Sequence, residues 1–173
     1  TIIITGASSG IGKACTNIFA KNSYQLVLAA RNKEKLNAFV NELKGFGVEC
    51  IGVQTDVSIE KDCENLINAC LEEYGKIDII LNNAGISMRA LFSDVDLSVL
   101  KQVMDINFWG TVYCTKYALP HIIKAKGSVV GVSSIAGYKG LPGRTGYSAS
   151  KFAMHGFLES IRIELLKKNV HVL

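Results

Sequence analysis

No apolar run in this chain approaches the ~20 residues of a membrane-spanning helix; no signal peptide is predicted from its first residues, which open directly on a strand, so that residues before Thr1 are expected to be missing. The five cysteines, Cys15, Cys50, Cys63, Cys70 and Cys114, form no C-x-x-C pair. An odd, scattered set predicts reduced thiols, each of them filling the core, and a cytoplasmic setting. The three histidines, His121, His155 and His171, lie too far apart in sequence to suggest a metal site, and none is predicted. Charge comes in no block: the net +4 is spread along the chain. So diffuse a balance argues against a nucleic-acid partner and is compatible with a small anionic ligand. There is no internal repeat, low-complexity tract or linker. A hydrophobic fraction of 49% over 173 residues predicts one globular domain spanning 1–173.

What is present is a strict alternation of strand and helix. Ile2 to Ile4 reads as a short buried strand, followed by a helix that starts within Gly6–Gly12 and turns Ala14, Ile18 and Phe19 inward. Further strands are expected over 25–30, 49–54, 77–81 and 128–133. The helices between them are expected over 33–46, from a Ser58 cap to Gly75, and as one long helix over 98–123 whose last turns Pro120 bends. A last helix over 147–167 leads into a sixth strand that begins at Val170. Asn32 is placed to cap the second helix, whose inner face is Leu36, Phe39, Val40 and Leu43. Such alternation predicts an α/β fold: a doubly wound parallel sheet, Rossmann-like, of order 3-2-1-4-5-6. Ligands then bind beyond the C-terminal strand ends, at the switch point between strands one and four.

Every motif falls at such an end. Gly6, Gly10 and Gly12 sit between the first strand and its helix. Gly6 permits a tight turn, Gly10 lets a pyrophosphate approach the backbone, and Gly12 lets the helix pack closely. The helix start offers free N–H groups and a positive dipole end to phosphate, with Ser8 and Ser9 as added donors. The second strand ends in Ala30-Arg31, where an NAD-binding fold would place a carboxylate for the ribose hydroxyls. A guanidinium there can bond a 2′-phosphate, which favours NADP(H) over NAD(H). Asp56 and Val57 close strand three where adenine should lie; Asp56 either accepts from the exocyclic amine or caps the turn. Tyr147 and Lys151 are four apart, so on a helix they stack one turn apart on one face. A fixed cation beside a phenol favours the phenolate, which makes a proton donor and acceptor usable near neutral pH.

Together Thr5, Gly6, Gly10, Ile11, Gly12, Asn82 to Gly85, Asn107, Ser134 and Tyr147-x-x-x-Lys151 resemble the short-chain dehydrogenase/reductase family, in its order and over the whole chain. The resemblance implies an NADP(H)-dependent oxidoreductase that interconverts a carbonyl and a secondary alcohol. It implies Tyr147 as catalytic acid/base and Lys151 as the partner that also holds the nicotinamide ribose. Ser134 would position the substrate oxygen, by its spacing to Tyr147, in preference to Ser133. Asn107 would link Lys151 to solvent through a water, or else serve as a structural bridge. Asn83, Ala84 and Gly85 would pass beside the cofactor, and Asn82 would tie neighbouring strands. Tyr138, Leu141, Arg144 and the stretch Ser87–Phe92 flank the expected substrate position. Phe108, Trp109 and Tyr113 are expected in packing or subunit contact, and a homodimer or homotetramer is implied. Relatives continue past the sixth strand, so the C-terminal part of the fold, with its lid, is expected to be missing after Leu173. A non-catalytic NADP(H)-binding sensor or scaffold is the alternative; intact Ser134, Tyr147 and Lys151 speak against it.

Overall fold

The computed structural model describes residues 1–173. Six parallel strands form one sheet in the order β3-β2-β1-β4-β5-β6. They are β1 Ile2–Thr5, β2 Leu26–Ala30, β3 Cys50–Gln54, β4 Ile79–Asn82, β5 Ser128–Gly131 and β6 His171–Val172. The central strand pairs on both sides, Ile2 with Leu26 and with Ile79. All of β1 and β2 is buried, as expected for parallel strands covered on both faces. The sequence-based order is therefore the observed one.

Two apolar layers enclose the sheet. On one face, Leu36, Phe39, Val40 and Leu43 of α2 (Lys33–Gly45) pack on Ile2, Ile4, Leu26 and Leu28. Asn32 caps this helix, its side chain accepting from Lys35 N–H at 2.8 Å. On the other face lie α3 (Glu60–Tyr74), α5 (Gly110–Ala125) and α6 (Thr145–Leu165), whose buried residues meet Ile3, Val27, Ile80 and Val129. Gly75 ends α3 in the left-handed conformation at φ 70°.

Three local expectations are corrected. Helix α1 (Gly10–Lys21) buries Gly12 and Thr16, whereas Ala14 is exposed and Ile18 is 61% exposed. With no side chain at Gly12, the helix sits so close to the first turn that its small residues become the inner face. Ser58 does not cap α3; Ile59 holds that position, and Ser58 N–H and hydroxyl both donate to Asp56 Oδ1. The long helix is broken into α4 (Leu97–Met104) and α5 by a wider π turn over Asp105–Trp109, where Gly110 N–H reaches back to Asp105 O. Such an insertion re-aims side chains within a helix, and Asn107 is one of them.

Candidate active site

The first turn is built by close approach. Gly6 lies at φ +65°, and a Cβ there would stand 2.9 Å from Asn83 Nδ2 and 3.0 Å from Ala84 Cα. A Cβ on Gly12 would meet Gly6 O at 2.4 Å. Only glycine satisfies either position without moving backbone. Gly10 is different: it also has positive φ, but open space surrounds it. Ser9 precedes the helix without a side-chain cap, so the first N–H groups of α1 face outward unpaired by it.

Across the switch point, Thr5 latches β1 to β4. Its hydroxyl donates to Leu81 O and accepts from Asn83 N–H and Ala84 N–H, both at 3.0 Å. The Asn83 amide donates to Thr5 O at 2.9 Å and Gly6 O at 3.3 Å. Asn82 donates instead to Thr115 Oγ1 at 3.1 Å, joining β4 to α5 by its side chain rather than strand to strand.

Between these turns runs a groove of about 900 Å³. At one end it is lined by Gly6, Ser8, Ser9, Gly10 and Ile11; at its side by Ala30, Arg31, Thr55, Asp56 and Val57. The middle is Asn83, Ala84 and Gly85, and the far end Ser87, Ser133, Tyr147 and Lys151. Asn32 and Lys35 join Arg31 on the wall. Arg31 takes part in none of the ion pairs of the fold. Asp56 spends Oδ1 on Ser58, which leaves Oδ2 without a protein donor.

Lys151 is the electrostatic centre of the far end. It is 5% exposed, and its ammonium donates to Val132 O at 2.7 Å. No carboxylate compensates it, and burial pushes the ammonium down to about 8. Its Nζ stands 5.9 Å from the centre of the Tyr147 ring. The helical spacing has thus brought the phenol and the amine to one place.

The sequence model of the family described as short chain dehydrogenase matches residues 1–173. The chain belongs to the short chain dehydrogenase family. It is 39% identical over 166 residues to 11-beta-hydroxysteroid dehydrogenase-like 4A of Arabidopsis thaliana, covering 95% of this chain and 56% of that one. It is 38% identical over 173 residues to the uncharacterized oxidoreductase YxnA of Bacillus subtilis, covering 99% and 49%. The chain spans about half the length of the curated relatives it matches. Among solved structures, a short chain dehydrogenase/reductase from Burkholderia phymatum in complex with NAD superposes with a TM-score of 0.94 at 30% identity, over 98% of this chain and 62% of that one. An alcohol dehydrogenase from Thermococcus sibiricus complexed with 5-hydroxy-NADP gives 0.91 at 27% identity, over 94% and 70%.

Within this family frame the remaining expected residues fall as follows. Asn107 is buried and makes no hydrogen bond to Lys151. It accepts from Ile86 N–H at 2.8 Å and donates to Ile86 O at 2.9 Å and Ser150 Oγ at 3.0 Å. Its side chain is a bridge between the π turn, the 85–87 segment and α6. Ser134 Oγ accepts from Ala136 N–H at 3.2 Å and caps the short turn Ile135–Gly137. Its neighbour Ser133 lines the groove, with its hydroxyl 2.5 Å from His155 Nε2.

Sequence reasoning missed two partners, Lys35 and His155, and left the contacts of a third residue, Arg144, open. Lys35 lies one turn after Arg31 and joins the same wall. His155 stands one turn after Lys151, holds Ser133 and carries the Tyr138 ring edge-on at 4.3 Å. Arg144 donates to Ser87 Oγ and sits 5.9 Å from the Tyr147 ring. The i,i+4 spacings were visible for the first two; Arg144 was expected beside the substrate position, and the structure adds its contacts with Ser87 and Tyr147.

Proposed function

We propose that the protein is an NADP(H)-dependent oxidoreductase that interconverts a carbonyl and a secondary alcohol. The observation that carries this reading is the buried Lys151 one turn from Tyr147, at the far end of a groove whose near end is a glycine-lined helix start. A dinucleotide fits the residues present. Open space at Gly10 and the uncapped first turn of α1 suit a pyrophosphate. The free Asp56 Oδ2 suits an adenine amine, and Lys151 suits ribose hydroxyls. When bound, the nicotinamide supplies or takes the hydride.

The chain's own residues do the rest. Tyr147 gives its phenolic proton to the substrate oxygen in reduction and takes it back in oxidation. Ser134, with Ser133 beside it, holds the substrate oxygen toward Tyr147. Asn107 keeps the 85–87 segment in place and so keeps the groove wall fixed. Arg31, unpaired and joined by Lys35 on the wall, favours the 2′-phosphate of NADP(H). The relatives' names point to hydroxysteroid and alcohol substrates, which supports the carbonyl/alcohol class. A homo-oligomer formed through the aromatic surface of Trp109 and Tyr113 completes the reading; those rings stack at 5.6 Å on a partly exposed face.

A panel of ketones, aldehydes and quinones, assayed with NADPH and NADH on the full-length protein, tests it. Turnover of at least one substrate with preference for NADPH is expected. Tight NADPH binding without turnover on any would replace this reading with a sensor or scaffold role.

A further inference from the structure

Arg144 is a guanidinium with no anion. It forms no ion pair within the chain. Of its five donors, only Nη1 has a side-chain partner, the hydroxyl of Ser87. Yet it is partly buried, and it bridges two groove-lining residues, Ser87 and Tyr147. Its backbone is fixed: Arg144 N–H donates to Leu141 O at 3.1 Å, and Arg144 O accepts from Ser148 N–H at 2.8 Å. The adjoining segment is tied as well, Ala90 N–H donating to Gly143 O at 3.0 Å. An ordered, partly desolvated guanidinium with spare donors is suited to a planar carboxylate, which accepts two parallel bonds.

We propose that Arg144 is a specificity residue: it binds a carboxylate carried by the substrate beside the carbonyl that Tyr147 protonates, so that oxo acids and hydroxy acids are preferred over neutral ketones and alcohols. The beginning of this rim is apolar, with Leu91 62% and Phe92 63% exposed immediately after the Ala90 bond. A substrate with an acid group and an apolar body matches both. This inference rests on the reading of Tyr147 as the acid/base. Arg144 touches no reacting atom in it and only selects what is held there.

Two measurements on full-length protein separate the claims. The first is calorimetric titration of the NADP⁺-loaded protein with benzoate and with benzamide, a neutral isostere. Benzoate should bind about tenfold tighter or more, the worth of a charge-assisted bond. R144Q should abolish that difference, and R144K should keep part of it. NADP⁺ binding by each variant reports that it is folded. Equal affinities for the two probes in the parent protein overturn the proposal. The second compares kcat/KM for 3-oxobutanoate and its methyl ester. The acid should be preferred, and R144Q should erase the preference mainly through KM. Turnover of both at equal efficiency removes the anion site and leaves the oxidoreductase standing. Arg144-dependent benzoate binding without turnover of any carbonyl removes the oxidoreductase and leaves the anion site standing.

Discussion

At the scale of single residues, Lys151 has the largest electrostatic consequence. Its ammonium is held at about 8 by burial, whereas an unfolded lysine ionises near ~10.4. Between those values the unfolded chain binds a proton that the folded chain has released. Folding stability of the cofactor-free protein therefore rises with pH through that window. Below it both states carry the proton, and the full cost of burying the charge is present. Lys151→Met should then raise stability at pH 7, by up to about 3 kcal/mol. The gain should shrink to nothing by about pH 10.5. Urea unfolding at both pH values measures this, and a variant less stable at pH 7 would contradict it. The same change should cost turnover, because the tyrosine loses its cation. Tyr147→Phe should abolish turnover while NADPH affinity, read by fluorescence titration, stays nearly unchanged. Arg31→Asp should weaken NADPH relative to NADH by ~1.5–3 kcal/mol. An unchanged ratio would remove Arg31 from phosphate recognition.

At the scale of elements, the π turn and the first glycine turn set the groove. Asn107 satisfies both backbone groups of Ile86 from inside the broken helix. Asn107→Ala leaves those groups without partners at a partly buried seam and should cost about 1–3 kcal/mol. Hydrogen exchange at the Ile86 amide should accelerate; an unaltered amide would show that the bridge is not what holds the segment. Gly12→Ala places a Cβ 2.4 Å from the Gly6 backbone oxygen and 2.5 Å from Asn83 Nδ2. The helix must move away from the turn, at about 1–3 kcal/mol, and the phosphate-facing N–H groups move with it. NADPH affinity should fall more than thermal stability does. Asn32 and the apolar face of α2 were legible because caps and period are local properties. The face of α1 was not, because a glycine contact lets the helix approach from an angle that hydrophobicity does not encode.

At the scale of the whole molecule, the site groove lies beyond the strand ends, and its residues come to it from the ends of β1 to β5 and from α6. No helix of the structure is long and apolar enough to cross a membrane. Trp109, 43% exposed, and Phe152, 46% exposed, leave aromatic surface at the outer side of the helices. Sedimentation of the full-length protein should give a dimer or tetramer, and Trp109→Arg should shift it toward monomer. A monomeric parent would end that expectation.

Strand order, the layers, the glycine turn and the Tyr147–Lys151 spacing were all determined by the sequence alone. The glycine turn and the spacing follow from residue type and short-range period, and the order and layers follow from the strict strand–helix alternation under right-handed crossovers. Only the tertiary structure decided where Asn107 points, that Ser133 and not Ser134 meets His155, that Lys151 is stripped of water, and that Arg144 reaches Ser87. Those outcomes depend on side chains meeting across dozens of residues, on a one-residue insertion in a helix, and on how much solvent the finished fold leaves around a charge.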